Sequence, residues 1–136
     1  MKGLVYNDFV KIDLKLSFAY YDQDLAFIAN IKGKNYLFYL IDDYTYFMVL
    51  VDTKVAKRLN ELKNLTALFK ELDQANKINV LLLDPDAKLA KIEPLVKHAD
   101  LRKYLPKTNQ KITFDYCNEV EIKPDTDLVK LLNQSK

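Results

Sequence analysis

The sequence predicts a single α+β domain, in which an antiparallel sheet with N-terminal hairpins carries two or more short helices on one face. Strand-like segments cluster before residue 52, and helix-like apolar stripes follow between residues 53 and 72. Further strand patterns return near 78–83 and 111–123. Strands followed by helices, rather than strict alternation of the two, indicate an α+β arrangement. A chain of 136 residues suits one domain, residues 1–136, with a core of its own.

The N-terminal half contains the strands. Apolar residues alternate with polar ones in 9–16, which predicts a first strand. Gly33 supplies the positive φ that a hairpin turn needs, and Asp42-Asp43 predicts a second turn. Runs of aliphatic and aromatic residues around these turns predict three antiparallel strands, at about 25–31, 36–41 and 45–51.

Two amphipathic helices are predicted next. Asp52-Thr53 offers an N-cap, and the apolar residues that follow recur at helical spacing, namely Val55, Leu59 and Leu62. Asn64 and Thr66 interrupt this stripe. A second stripe then predicts a second short helix, and its members are Leu65, Leu68, Phe69 and Leu72.

The remaining elements follow from turn and capping residues. The apolar run 78–83 predicts a strand that ends at Asp84-Pro85. Residues 86–105 are predicted to be helical, with Asp86 as a cap, and Pro94 is expected either to break this helix or to start the next one. Strict alternation over 111–123 predicts a strand with a bulge or turn at Asn118. A short C-terminal helix over Leu128, Leu131 and Leu132 is predicted to be capped by Asp125 or Thr126.

Net charge argues against a general affinity for nucleic acid or an anionic membrane. The total is +2. Residues 1–52 hold five lysines against seven acids, which sums to −2, and residues 53–123 sum to +4. Arg58 and Arg102 are the only arginines, whereas recognition of phosphate and guanine depends on arginine. Nucleic acid is therefore an unlikely partner on this reading.

The rare residue types exclude several kinds of chemistry. Two isolated glycines cannot build a phosphate-binding loop. With one histidine, His98, and one cysteine, Cys117, the chain is short of ligands for a zinc site. We expect no cofactor, no metal and no catalytic residue. A single cysteine also suits the reducing cytoplasm, and we see neither a secretory signal nor an apolar stretch long enough for a membrane span.

Aromatic residues are concentrated in the acidic half, where 12 of 16 precede residue 48. Some of these rings are expected to pair across strands in the core. Others are expected on an open sheet face, because neighbours along a strand point to opposite sides. Tyrosines among acids are a common surface for protein recognition. The candidate binding residues are Tyr20, Tyr21, Asp22, Tyr36, Tyr39, Asp42, Asp43, Tyr44 and Tyr46.

Part of the chain resembles a small bacterial family of unknown function. The similarity covers residues 18–72, about 40% of the chain. The segments that carry it are Tyr20-Tyr21-Asp22, Leu25-Ala26-Phe27, Tyr36-Leu37, Leu40-Ile41-Asp42-Asp43 and the Leu-rich stretch from Val55 to Phe69. That family opens with a Tyr-Asp-Gly-Pro-Leu-Leu-Phe-type segment, whereas this chain has Gln23-Asp24 in place of Gly-Pro. The resemblance implies a hairpin followed by a short helix, and no activity.

These observations lead to one main functional expectation and two alternatives. The main expectation is a cytoplasmic, non-catalytic module that binds a protein partner through the aromatic, acidic sheet face and that can also self-associate. Composition is typical of AT-rich bacteria and their phages, so an accessory or inhibitor protein is expected. The first alternative is a small enzyme or ligand-binding domain that uses Asp22, Asp42 or Asp84 with a nearby tyrosine. The second is a weak nucleic-acid binder that uses Lys54, Lys57, Arg58 and Lys63.

Overall fold

A computed structural model describes residues 3–10, 13–20, 23–62, 64–106, 113–114, 116–117, 120–121, 127 and 129–130. Only the backbone is described for residues 13–20 and 23–25 and for the short strands from residue 113 onward. The helices are α1 (Tyr6–Val10), α2 (Thr53–Leu62) and α3 (Leu65–Gln74), and a 3₁₀ segment covers Leu95–Tyr104. The strands are β1 (Asp13–Tyr20), β2 (Gln23–Ile31), β3 (Lys34–Asp42), β4 (Thr45–Leu50), β5 (Asn79–Asp84), β6 (Leu89–Pro94), β7 (Thr113–Phe114), β8 (Tyr116–Cys117) and β9 (Val120–Glu121).

The main sheet has seven strands in the order β6-β5-β4-β3-β2-β1-β7, and each neighbouring pair is antiparallel. Strands β8 and β9 form a separate antiparallel pair. Hairpins join β1 to β4 in sequence and β5 to β6, whereas α2 and α3 connect β4 to its neighbour β5, and α1 precedes β1. The prediction of an α+β domain with N-terminal hairpins is confirmed.

One face of the sheet, the helical face, packs against α2 and α3. Tyr39, Phe47 and Val80 belong to the same buried cluster as Leu59 and Phe69 of these helices. Ring contacts join the layers, since the Tyr39 and Phe69 ring centroids are 5.4 Å apart. Burial of this apolar surface supplies the main driving force for docking the helices.

The other face of the sheet carries a second buried cluster. It contains Tyr36, Phe38, Met48 and Leu81. Helix α1 contributes Phe9, whose ring meets that of Phe38 edge to face at 6.3 Å. The central strands are therefore buried on both faces, as their continuous apolar runs predict.

The cap of α2 is formed by a residue that the sequence indicates, and the cap of α3 by a residue that was predicted only as an interruption. Asp52 Oδ1 accepts the N–H of Val55 at 2.9 Å, and Asn64 Oδ1 accepts the N–H of Ala67 at 3.0 Å. Each bond satisfies a donor that the first helical turn leaves free. The predicted interruption at Asn64 is thus the start of the second helix. No helix in the described ranges is long and apolar enough to cross a lipid bilayer.

The prediction of a helix that starts at Asp86 is wrong. Asp84 Oδ1 accepts the N–H groups of Asp86 and Ala87, both at 3.1 Å, which turns the chain back on itself. Lys88 has a left-handed φ of 53°, and β6 then pairs with β5. After Pro94 the chain forms the 3₁₀ segment, which is interrupted by non-helical dihedral angles at His98. The side-chain oxygen of Asp84 thus stabilises a hairpin instead of a helix.

Two further predictions need correction at their boundaries. Phe9 and Val10 belong to α1, and the first strand starts later, at Asp13. The segment 111–123 is divided into short strands, and antiparallel pairing of Cys117 with Val120 shows that the chain reverses near the predicted interruption. Asp125 and Thr126, the predicted C-terminal caps, lie outside the described residues.

Candidate functional site

Hairpin connectivity brings three turns to one end of the sheet. Strand β1 ends there at Tyr20, which pairs with Gln23. The turn between β3 and β4 lies at the same end, and the N–H of Leu83 donates to the carbonyl of Tyr44 at 2.9 Å, which places the β5–β6 turn beside it. We call residues 42–46 and 84–86 the acidic end. Four of them are exposed aspartates, namely Asp42, Asp43, Asp84 and Asp86.

Tyr44 occupies the tip of the β3–β4 turn in a conformation that disfavours a large side chain. Its φ is 59° and its side chain is 56% exposed. The register between β3 and β4 is irregular just before this turn. Hairpins usually place glycine at such a left-handed position, because a side chain there costs about 1 to 2 kcal/mol. The fold therefore exposes a tyrosine at a position where packing does not require it.

The aspartates around Tyr44 are not neutralised within the described part of the chain. No lysine or arginine described by the structure is within ion-pair distance of any of the four. Asp42 Oδ1 accepts the N–H of Asp43 at 2.8 Å, and Asp84 bonds to its own turn, as above. These bonds use one oxygen of each carboxylate. The acidic end thus presents negative charge on both sides of an exposed ring.

Tyr46 supports the acidic end from the sheet. Its half-buried ring meets Phe38 edge to face at 6.2 Å and Phe27 at 6.3 Å. Burial raises the pKa of its phenol, with a further rise from neighbouring Tyr44. Tyr46 is therefore fixed by the core and neutral at physiological pH, and it stiffens the strand that follows the turn.

Tyr36 and Tyr39 are buried, so a partner cannot contact them on the folded surface. Tyr39 lies on the helical face, 7% exposed, and its ring stacks on Phe47 at 6.2 Å. Tyr36 is 4% exposed on the other face, and burial raises the pKa of its phenol. Asp42 lies six positions after Tyr36 in β3, which is about 20 Å of strand. Both tyrosines belong to the core rather than to the acidic end.

Of the other candidate residues, the structure describes only Tyr20, whose backbone ends β1 at the same end of the sheet as Tyr44. Tyr21 and Asp22 lie outside the described residues. The topology thus brings Tyr20, Asp42, Asp43 and Tyr44 to one end of the sheet and separates them from Tyr36.

Two of the carboxylates named in the enzyme alternative belong to turns at the acidic end. Asp42 and Asp84 are exposed and hydrogen-bonded within their turns. Within the described residues, no group of three or more histidine, cysteine, aspartate or glutamate side chains could hold a metal ion. His98 is paired with a surface carboxylate, because its Nε2 lies 2.9 Å from Glu93 Oε1.

The nucleic-acid alternative is weakened at Arg58. Its guanidinium donates to Glu71 and to Glu61 on the helix surface. Lys54 and Lys57 are exposed, and Lys63 lies outside the described residues. An arginine already occupied by two carboxylates is a poor phosphate ligand, since it must first give up those contacts.

The sequence does not group Asp86 with the candidate binding residues, and it offers Asp84 only in the enzyme alternative. About forty residues separate them from Tyr44 along the chain, and only the pairing of β4 with β5 brings them together. The signal for β6 was present but weak. Lys91 and Glu93 alternate with Ala90 and Ile92, a two-residue period that indicates a strand.

Comparison with known proteins adds no relative. No protein-family model, curated protein or solved structure matches the chain. The resemblance over residues 18–72 therefore stays a prediction.

Proposed function

We propose that this chain is a non-catalytic protein-interaction domain that binds a positively charged protein surface through the acidic end. Tyr44 carries the proposal, because it is exposed in a backbone conformation that glycine would adopt at lower cost. Lys32, Asn76 and Lys88 share this left-handed φ, but a bulky exposed ring in such a conformation is the greater exception, and strain of this kind is found at functional sites. The use we assign to Tyr44 is contact with a partner.

The surroundings of Tyr44 suit a basic partner. Tyrosine is enriched at the energetic centres of protein interfaces, since its ring buries a large area with few rotatable bonds. The four exposed aspartates attract a positive surface and repel nucleic acid and anionic lipid. A ring that packs centrally and a rim of charge that orients the approach are typical of protein recognition.

We also propose a cytoplasmic location and an accessory or inhibitory role in a bacterium or phage. The single cysteine and the Lys- and Asn-rich, Gly-poor composition support this proposal.

Photo-crosslinking tests the proposed surface directly. A benzophenone amino acid would replace Tyr44 in one bait and Val5 in a matched bait, because the two residues are equally accessible at 56% and 57%. The segment that holds Val5 lies beside the β2–β3 turn, at the opposite end of the sheet, since Lys32 Nζ donates to the carbonyl of Gly3 at 3.1 Å. We expect the Tyr44 bait to form a discrete crosslink to one protein from a native lysate, and the Val5 bait to form none to that protein. Equal crosslinking from both positions, or no protein crosslink from position 44, contradicts the proposal.

Charge variants then test the chemistry with the purified partner. Asp43→Asn removes one charge from the acidic end, and Asp100→Asn removes one exposed charge from the 3₁₀ segment. We expect Asp43→Asn to weaken binding by about two- to fivefold at low salt, in the range of an exposed charge contact, and Asp100→Asn to leave it unchanged. A partner that binds equally well to both variants, or whose affinity is insensitive to salt, does not recognise this surface by charge.

A further inference from the structure

Strand β6 forms one edge of the main sheet. It pairs with β5 and has no strand on its outer side in the described part of the chain. The hydrogen bonds between β5 and β6 show which backbone groups of β6 face β5 and which face outward. The N–H of Leu95 donates to the carbonyl of Ile78 at 3.1 Å, so alternate residues before it, Glu93, Lys91 and Leu89, also face β5.

The remaining backbone groups of β6 point away from the sheet. These are the N–H and C=O groups of Ala90 and Ile92 and the C=O of Pro94. The bond from Leu83 to Tyr44 agrees with this assignment, because Leu83 then faces β4 and its neighbours along β5 face β6. An edge strand with free donors and acceptors is a template for another strand.

We propose that two copies of this chain associate by antiparallel pairing of β6 with β6, about a two-fold axis at Ile92. Ile92 then faces Ile92 of the second copy, and the two exchange both of their backbone hydrogen bonds. Ala90 faces Pro94 of the second copy and donates to its carbonyl. Pro94 has no N–H, so the carbonyl of Ala90 opposite it receives no hydrogen bond. The pairing therefore lacks one bond at each of its two ends.

Charge complementarity selects this register. With Ile92 on the axis, Lys91 of each copy lies directly opposite Glu93 of the other, and both side chains are on the helical face. The two are already neighbours within one copy, where Lys91 Nζ lies 3.4 Å from Glu93 Oε1. Opposite charges facing each other across strands are favourable, and a shift by one residue loses this match. The symmetry repeats the pair, so every copy supplies both charges.

Exposed apolar residues flank the same edge. Leu89 is 63% exposed at one end of β6, and Val96 is 57% exposed just beyond the other end. In the proposed register, Leu89 of one copy lies beside residues 95 and 96 of the second copy. Burial of both side chains adds apolar area to the backbone pairing. A short strand pairing of this size is expected to be reversible, with dissociation in the micromolar range.

A charge exchange tests the pairing. Sedimentation equilibrium of the full chain over a concentration series should show a dimer of twice 15.9 kDa. Lys91→Glu alone and Glu93→Lys alone each place like charges opposite one another, so each variant should dissociate at least about tenfold more readily. An equimolar mixture of the two variants should dimerise again, because every facing pair is then of opposite charge. Lys57→Glu, on the exposed face of α2, is the charge-matched control and should dimerise like the original chain.

Each other outcome overturns the proposal. A chain that stays monomeric up to about 0.5 mM has no such interface. A dimer that persists in both charge variants uses another surface, and variants that stay monomeric when mixed do not pair through these charges. Circular dichroism of each variant establishes that it is folded. Tyr44 lies outside the paired segment, so a failure of the dimer leaves the proposed partner surface untouched.

Discussion

At the scale of the residue, replacement of Tyr44 is expected to change stability and partner binding in opposite directions. A left-handed conformation costs a side chain about 1 to 2 kcal/mol, and glycine adopts it freely at an entropic cost of about 0.5 to 1 kcal/mol. Tyr44→Gly should therefore raise the free energy of unfolding by about 0.5 to 1 kcal/mol. The same substitution removes the ring and should reduce capture of the partner. Urea denaturation measures the first effect, and crosslink yield or calorimetry measures the second.

Lys88→Gly is the matched control for this prediction. Lys88 has a φ of 53° and is exposed in the neighbouring turn, so its replacement should stabilise the fold by a similar amount without loss of binding. A Tyr44→Gly chain that is less stable than the original would show that the ring contributes to folding. That result would remove the main support for the proposed function.

At the scale of the element, Asn64 decides where one helix ends and the next begins. Its side chain caps α3 through the N–H of Ala67, while its backbone is extended and cannot continue α2. Asn64→Ala removes the cap and should lower the free energy of unfolding by about 1 kcal/mol, the usual value for a lost N-cap. Urea denaturation measures the change.

Gln74→Ala provides the comparison at the other end of the same helix. Gln74 is exposed in the last turn of α3, and alanine is the better helix former. This variant should be neutral or slightly more stable. Equal destabilisation by both substitutions would mean that the cap of α3 has no special role.

The element scale also shows where local signals mislead. Asp84-Pro-Asp reads equally well as a helix start and as a turn, because aspartate bonds to nearby N–H groups in both. The two-residue period of β6 favours the turn, but this strand is short and polar on one face, and the sequence alone predicted a helix. Helix α2 was predictable because its cap and its apolar stripe agreed, whereas α3 was predicted from its apolar stripe alone.

At the scale of the whole molecule, the sheet depends on burial of both faces. Phe47 and Met48 are adjacent in β4 and are fully buried in different clusters. Phe47→Ala should lower the free energy of unfolding by about 3 to 5 kcal/mol and Met48→Ala by about 2 to 5 kcal/mol. Thermal or urea denaturation followed by circular dichroism measures both.

Leu50→Ala is the control within the same strand. Leu50 is 37% exposed, so its truncation should cost less than about 1 kcal/mol. If Met48→Ala were as mild as Leu50→Ala, the face opposite the helices would not be a true core. The assignment of Tyr36 to that core would then fail too.

The sequence by itself determined the elements that are stabilised by interactions between residues close together in the chain. Gly33 marks the β2–β3 turn, Asp52 caps α2, apolar stripes define α2 and α3, and apolar runs define the central strands. Each of these signals acts between residues a few positions apart, so it can be read along the chain. The class of the fold and the concentration of tyrosine and aspartate near the strand ends followed from the same local patterns.

Only the tertiary structure decided which of those tyrosines reach the surface and which acids accompany them. Tyr39 and Tyr44 are five residues apart, yet one is buried against α3 and the other is exposed at the tip of a turn. Asp84 joins Tyr44 through strand pairing alone. Strand register and the docking of helices depend on contacts between distant parts of the chain, and the free energy of those contacts appears only when the sheet and its two cores have formed together.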